Sequence, residues 1–98
     1  MGKLVFLHYM KYTKEFLKSS PEVRDKEFGN YGKLAEKHGL KSLSSGSPWG
    51  NEYHALVIME SEKGMEAWNA FTTELLENWT PDAWKYIKES RTEIMSPS

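Results

Sequence analysis

Two histidines are the side chains of this sequence best suited to acid–base or hydrogen-bonding chemistry. His8 interrupts an otherwise apolar stretch, "KLVFLHYM", and His54 lies near the start of a second one, "EYHALVIME". Because histidine titrates near neutral pH, either one could serve as a general base or as a donor that orients a ligand. The structural alternative, which is the commoner role for a single histidine, is a buried ring bonded to a tyrosine or carboxylate, or a ring at a sheet edge.

Aromatic side chains are the second candidate feature, and they concentrate in "EAWNAFTTELLENWTPDAWKY", residues 66–86. Apolar residues in this part of the chain recur at steps of three and four, as in a single buried helical stripe, so we predict that they form core. Trp84 and Tyr86 do not fit this stripe. We therefore expect these two rings to close the end of a ligand pocket. The residues of the stripe are Met65, Trp68, Phe71, Leu75 and Trp79.

Composition narrows the classes of function. The absence of cysteine excludes disulfides, thiolate zinc sites and a cysteine nucleophile. A net charge of −1 gives no excess of positive charge for phosphates, and the longest apolar run, "ALVIM", is far too short to cross a bilayer. Glu52 and His54 offer only two metal ligands, and phosphate-binding loops, a G-x-S-x-G elbow and paired catalytic carboxylates are missing. We expect a cytoplasmic protein with no metal, no cofactor, and neither nucleic acid nor membrane as a partner.

The elements that must position these residues follow the order β-α-β-β-α-β within one domain, residues 1–98. Residues 3–12 and 52–60 have the strongest strand character, with weaker strands at 40–46 and 89–95. Ser20-Pro21-Glu22 begins the first long helix, which ends at Gly39, and we expect His38 to interact with the dipole of its C-terminus. The second long helix ends before Pro81, and a short helix that contains Trp84 and Tyr86–Ile87 follows. This order is the ferredoxin-like pattern: an α+β fold with a four-stranded antiparallel sheet and both helices on one face.

The two strongest strands are apolar at both odd and even positions. In the first, Val5 and Leu7 alternate with Phe6 and Met10; in the third, residues 55–59 are all apolar. A strand with one face in water would alternate between apolar and polar residues, so the second face of the sheet must be covered. We predict a homodimer through the open sheet face, since a second copy is the simplest cover. Trp49, in the turn "SPWG", would anchor the interface in preference to closing a ligand pocket.

This element order, the two-sided strands 3–12 and 52–60, and the helix start "GMEAWNAF" resemble the dimeric α+β barrel superfamily over nearly the whole chain. That superfamily includes antibiotic-biosynthesis and haem-degrading monooxygenases, muconolactone isomerases and stress-responsive barrel proteins, with many members of unknown function. Trp68 could match the tryptophan of the haem-degrading branch. The first strand has no asparagine, however, and Asn78 stands where that branch has histidine, so we do not expect haem degradation. The resemblance implies a fold and a cavity and no particular reaction.

We predict a mostly apolar pocket between the sheet and the second long helix, lined by His8, Tyr31, Trp68 and Tyr86, which binds a small apolar or aromatic molecule. His8 is the expected orienting donor or base, and His54 is a second candidate. Three alternatives stay open. The same cavity could house a cofactor-independent monooxygenase or isomerase. The protein could be a structural assembly module with close-packed tryptophans and no pocket. His8 could also face the dimer interior and only form a hydrogen bond across it.

Overall fold

The computed structural model describes residues 3–77 and 87–97 of the chain. Four strands form one antiparallel sheet in the order β2-β3-β1-β4. This arrangement confirms the predicted α+β, ferredoxin-like fold. The elements are β1 (Leu4–Tyr12), α1 (Lys14–Lys18), α2 (Pro21–Lys37), β2 (Lys41–Gly46), β3 (Ala55–Ser61), α3 (Met65–Glu77) and β4 (Ile87–Met95).

Local sequence explains where the first long helix begins and ends. The Ser20 hydroxyl caps α2 by accepting a hydrogen bond from the Val23 N–H at 3.3 Å, and Pro21 occupies the first turn. At the other end His38 is the C-cap, and Gly39 follows with φ of 80°, a left-handed conformation that glycine adopts without strain. Both predicted boundaries are confirmed.

Two strand boundaries differ from the prediction. The third strand begins at Ala55, not at residue 52, because the Tyr53 N–H donates to the side-chain oxygen of Asn51 at 2.9 Å and so holds a turn there. Ile87, which we expected in a short helix, is the first residue of β4. The rest of that short helix and the end of the second long helix at Pro81 lie outside the described residues.

All three described helices pack on one face of the sheet. The even-numbered residues of β1 point into this layer, where Trp68 of α3 stacks on Phe6, Tyr31 of α2 bonds His8, and the Phe16 ring of α1 packs on Tyr12. The main side chains of this core are Phe6, Met10, Tyr12, Phe16, Tyr31, Leu34, Met59, Trp68, Phe71 and Leu75.

The predicted stripe of the second long helix is correct in its centre. Trp68, Phe71 and Leu75 are all buried. Met65 is the exception: it is 40% exposed because it is the first residue of α3 and lies at the margin of the core. Trp79 lies outside the described residues.

The odd-numbered residues of β1 lie on the opposite face of the sheet. Leu7 pairs with Ile58 and Tyr9 with Leu56, so their side chains form an apolar centre on this face. Towards β4 the same face becomes charged. Glu93 of β4 pairs with Leu7, and two further charged residues of β4, Arg91 and Glu89, follow at alternate positions. Within residues 3–77 and 87–97, no helix is long and apolar enough to cross a membrane.

Candidate ligand-binding site

A cavity of about 830 Å³ lies between α2 and the β2–β3 half of the sheet. Its volume is within the ~300–1,000 Å³ range of small-molecule sites. The cavity exists because β2 contributes little bulk: the strand reads "KSLSSG", and α2 presents Gly32 opposite it. The apolar wall is formed by Tyr12, Phe28, Tyr31, Ala35, Val57 and Met59.

His54 is the polar ring in the wall of this cavity. Its Nδ1 accepts a hydrogen bond from the backbone N–H of Tyr12 at 2.9 Å, and its own backbone N–H donates to the Met10 carbonyl at 2.9 Å. The imidazole also lies parallel to the Tyr12 ring, with the centroids 6.0 Å apart. These three contacts fix both the position and the orientation of the ring.

His8 lies behind the wall and not in it. Its Nδ1 is 2.6 Å from the hydroxyl oxygen of Tyr31, and the two rings are stacked at 5.8 Å. The edge of His8 also meets the Trp68 ring, and only 3% of the residue is exposed. His8 therefore faces the helices, and it is connected to the cavity through Tyr31, which lines the cavity.

Burial keeps this buried pair electrically neutral. Loss of hydration lowers the pKa of His8 from 6.5 to about 4. The same effect, with a smaller contribution from Tyr12, raises the pKa of Tyr31 well above its ordinary value of 10. At neutral pH the imidazole carries no charge and the phenol keeps its proton. The pair can therefore position a hydroxyl, but its imidazole is a weak base.

The predicted pocket was placed between the sheet and the second long helix, which is α3. Between the sheet and α3, the space is filled by Trp68, which stacks on Phe6 with ring centroids 4.7 Å apart and is only 5% exposed. The cavity lies under α2 instead. Of the predicted site residues, Tyr31 and His54 line it, His8 supports Tyr31, Trp68 packs in the core, and Tyr86 lies outside the described residues.

Two aromatic residues of the cavity were missed by the sequence reasoning. Tyr12 is at an even position of β1, on the same face as His8, and this parity was a usable signal. Phe28 belongs to the apolar side of α2, but its 45% exposure places it at the rim of the cavity. Trp49, which we predicted to anchor an interface, is 95% exposed in the single chain.

The lowered pKa of His8 predicts a pH dependence of stability. Between pH 6.5 and about 4 the unfolded chain binds a proton at His8 and the folded chain does not. The contribution of His8 to the free energy of unfolding is therefore fully present above pH 6.5. It falls as the pH is lowered, by about 3 kcal/mol at pH 4. Urea unfolding of the wild type and of His8→Gln, which keeps a polar partner for Tyr31 without titrating, should give curves that converge towards acid pH. Parallel curves would contradict the neutral, buried state of His8.

The sequence matches no family model, and no curated protein is significantly similar to it. Solved structures of similar shape do exist. A DABB family protein with a ferredoxin-like fold from Mesorhizobium loti is 11% identical and superposes with a TM-score of 0.65, covering 100% of this chain and 99% of that one. A dimeric ferredoxin-like protein of unknown function from Thermobifida fusca is 13% identical with a TM-score of 0.61, covering 99% and 93%.

An enzyme is also among the similar structures. The hydroxynitrile lyase of Passiflora edulis is 10% identical to this chain, with a TM-score of 0.70 and coverage of 99% of this chain and 94% of the lyase. At such low identities the comparisons establish shape alone. The chain has a ferredoxin-like fold, and its structural neighbours include several proteins of unknown function.

Proposed function

We propose that this protein binds a small apolar or aromatic molecule in the cavity between α2 and the β2–β3 half of the sheet. The observation that supports this function is the cavity itself, about 830 Å³ with a mainly aromatic and aliphatic wall and a fixed imidazole. Sites for small molecules combine these features: apolar walls supply most of the binding free energy, and a few polar groups fix the orientation of the ligand.

The alternative of a purely structural module is less well supported. Close-packed tryptophans were one expectation of that alternative, and Trp68 is close-packed. The other expectation was that no pocket exists. A cleft of about 830 Å³ with a mainly apolar lining lies beside that core, and a concave apolar surface of this kind favours a ligand.

His8 and Tyr31 fit a role in binding better than a role in base catalysis. A general base works best when its pKa lies near the working pH, and the pKa of His8 is lowered to about 4. We propose that His8 holds the Tyr31 phenol, 2.6 Å away, in the orientation in which it contacts a ligand. His8 would then be a positioning residue.

We further propose that the functional form is a homodimer joined through the open sheet face. Leu7, Leu56 and Ile58 are only partly buried there in the single chain, and a second copy would remove them from water. A stable interface of this kind buries at least ~1,200 Å² in total. The dimeric state of the Thermobifida fusca neighbour supports the proposal.

We also propose a cytoplasmic location, since a chain without cysteine suits a reducing compartment.

Two glycines of α2 provide a matched test of the site. Space is open where a Cβ would stand at Gly32 and also at Gly29, but only Gly32 lines the cavity. Phenylalanine at either position improves helix propensity by about 0.5 kcal/mol over glycine, so both variants should fold. With 2-acetylnaphthalene as the fluorescent probe, we expect Gly32→Phe to weaken binding by about fivefold or more, as crowding of a packed site by 1–3 kcal/mol implies.

The control, Gly29→Phe, should bind the probe as the wild type does. Backbone amide NMR shifts at Gly32, Ala35 and Val57 on addition of probe would localise it to the cavity. Equal affinities in all three proteins, with shifts confined to the open sheet face, would reject the cavity as the binding site.

A cofactor-independent enzyme, a monooxygenase or isomerase, is the second candidate function. It is favoured by one observation: His54 lies in the cavity wall beside a tyrosine, Tyr12. The hydroxynitrile lyase of Passiflora edulis is an enzyme of the same fold. Mass spectrometry of a bound ligand after prolonged incubation separates the two functions. Recovery of the ligand unchanged supports binding, and turnover that is lost in His54→Phe supports the enzyme.

A further inference from the structure

We propose that His54 selects neutral aromatic ligands that carry a hydrogen-bond acceptor next to the ring, as an aryl ketone does, by donating its Nε2–H to that acceptor. This inference rests on the proposed function, because it concerns the ligand of the same cavity. It goes further by naming the chemical class of the ligand and the residue that selects it.

The first step is the tautomer of His54. The backbone N–H of Tyr12 can only donate, so Nδ1 of His54, 2.9 Å away, must accept with its lone pair. A neutral imidazole carries one N–H, which must then be on Nε2. A doubly protonated ring would place two N–H groups against each other at the Tyr12 contact. In this geometry His54 therefore offers the cavity a donor and no acceptor.

The second step is that this donor is pre-organised. The His54 backbone is bonded to Met10, and its ring lies parallel to that of Tyr12 with an interplanar angle of 8°. Rotation of the imidazole would break the Tyr12 N–H contact. Little conformational freedom is lost when a ligand binds, so the hydrogen bond contributes more of its energy to affinity.

The third step is the position of the donor beside the aromatic end of the cavity. The Tyr12 ring is stacked on His54 and is 5.9 Å from the Phe28 ring, and Tyr31 lies one helical turn further along α2. A ligand ring placed against these aromatic rings has His54 at its edge. An acceptor attached directly to the ring can then reach Nε2. A ligand without an acceptor would displace water from this N–H and leave the donor unpaired.

The fourth step concerns the charge of the ligand. Besides the histidine, the charged side chains that line the cavity in the described part of the chain are Glu36 and Lys41. They have opposite signs, so the lining has no excess charge to compensate an ionised ligand. A carbonyl or ether oxygen suits this lining better than a carboxylate, whose burial without a partner is costly.

The test compares two probes of similar shape. In 2-isopropylnaphthalene a methyl group replaces the carbonyl oxygen of 2-acetylnaphthalene. For the wild type we expect the ketone to bind about threefold to tenfold more tightly, the ratio that one net hydrogen bond gives. In His54→Asn the amide oxygen can still accept from the Tyr12 N–H, but its NH₂ group falls short of the Nε2 position. We expect the ratio of the two affinities to fall to about one in this variant.

A second measurement needs no substitution. The ¹⁵N resonance of His54 Nε2 should shift when the ketone is added to the wild type and stay unchanged with the hydrocarbon. Equal binding of both probes by the wild type, or an unchanged ratio in His54→Asn, would overturn the role of His54 and leave ligand binding intact. Binding of neither probe would overturn the proposed function, and the selectivity with it.

Discussion

Replacing Trp68 with alanine is expected to lower the free energy of unfolding by about 3–5 kcal/mol, the cost of truncating a large aromatic side chain in a core. Trp68 is 5% exposed, stacks on Phe6 at 4.7 Å, and also contacts His8 and Phe71. Its removal would leave a cavity that this rigid layer of rings cannot close. Denaturation by guanidinium, followed by circular dichroism, measures the loss directly.

Trp49→Ala is the matched control, because it makes the same chemical change at a side chain that is 95% exposed. Any loss of stability at Trp49 should come from a dimer interface and depend on protein concentration. The loss at Trp68 should not depend on it. A melting midpoint that is nearly unchanged in Trp68→Ala would contradict its place in the core.

The second large effect is expected at the open face of the sheet. Ile58 lies opposite Leu7 near the middle of the β1–β3 pair. If two copies meet on this face, Ile58→Glu buries two carboxylates near each other, at a cost of several kcal/mol per unpaired charge. We expect the dimer to dissociate at micromolar concentration, with its dissociation constant raised at least about a hundredfold. Sedimentation equilibrium measures the mass of the wild type and that of Ile58→Glu.

Met65→Glu is the control for this experiment. Met65 is also an incompletely buried apolar residue, 40% exposed, but it begins α3 in the helical layer, where a negative charge is favourable. This variant should remain a dimer. A monomeric wild type would reject the dimer altogether, and a dimeric Ile58→Glu would place the interface on another surface.

The fold could be predicted because its signals are local. The Ser20 cap, the left-handed Gly39 and the spacing of Trp68, Phe71 and Leu75 each act within a few residues of the chain. Period-two patterning likewise predicts which strands have two apolar faces. These features identify the elements and their order, and the order determines the class of the fold.

The location of the cavity could not be predicted in this way, because it depends on the balance of side-chain volumes between distant elements. Trp68 fills the space under α3 only because it stacks on Phe6, a partner 62 positions away in the sequence. The serines of β2 have small side chains, so they leave space under α2. A strand with so little bulk facing a helix was the available signal.

The role of His54 also depends on a distant contact. Its Nδ1 bonds the backbone of Tyr12, on a strand that is remote in the sequence, and this contact defines the tautomer. The sequence favoured His8 as the orienting donor or base and left His54 as a second candidate. Burial distinguishes the two residues. His8 is 3% exposed and does not line the cavity, whereas His54 does.

Ligand binding under α2 is tested most directly by the crystal structure of the protein soaked with 2-acetylnaphthalene at saturation. The predicted result is electron density for the naphthalene ring between α2 and β3, against Tyr12, Phe28 and Tyr31, with the carbonyl oxygen about 2.9 Å from His54 Nε2, an ordinary hydrogen-bond length. An empty cavity, with the probe bound elsewhere or not at all, would contradict the proposed function.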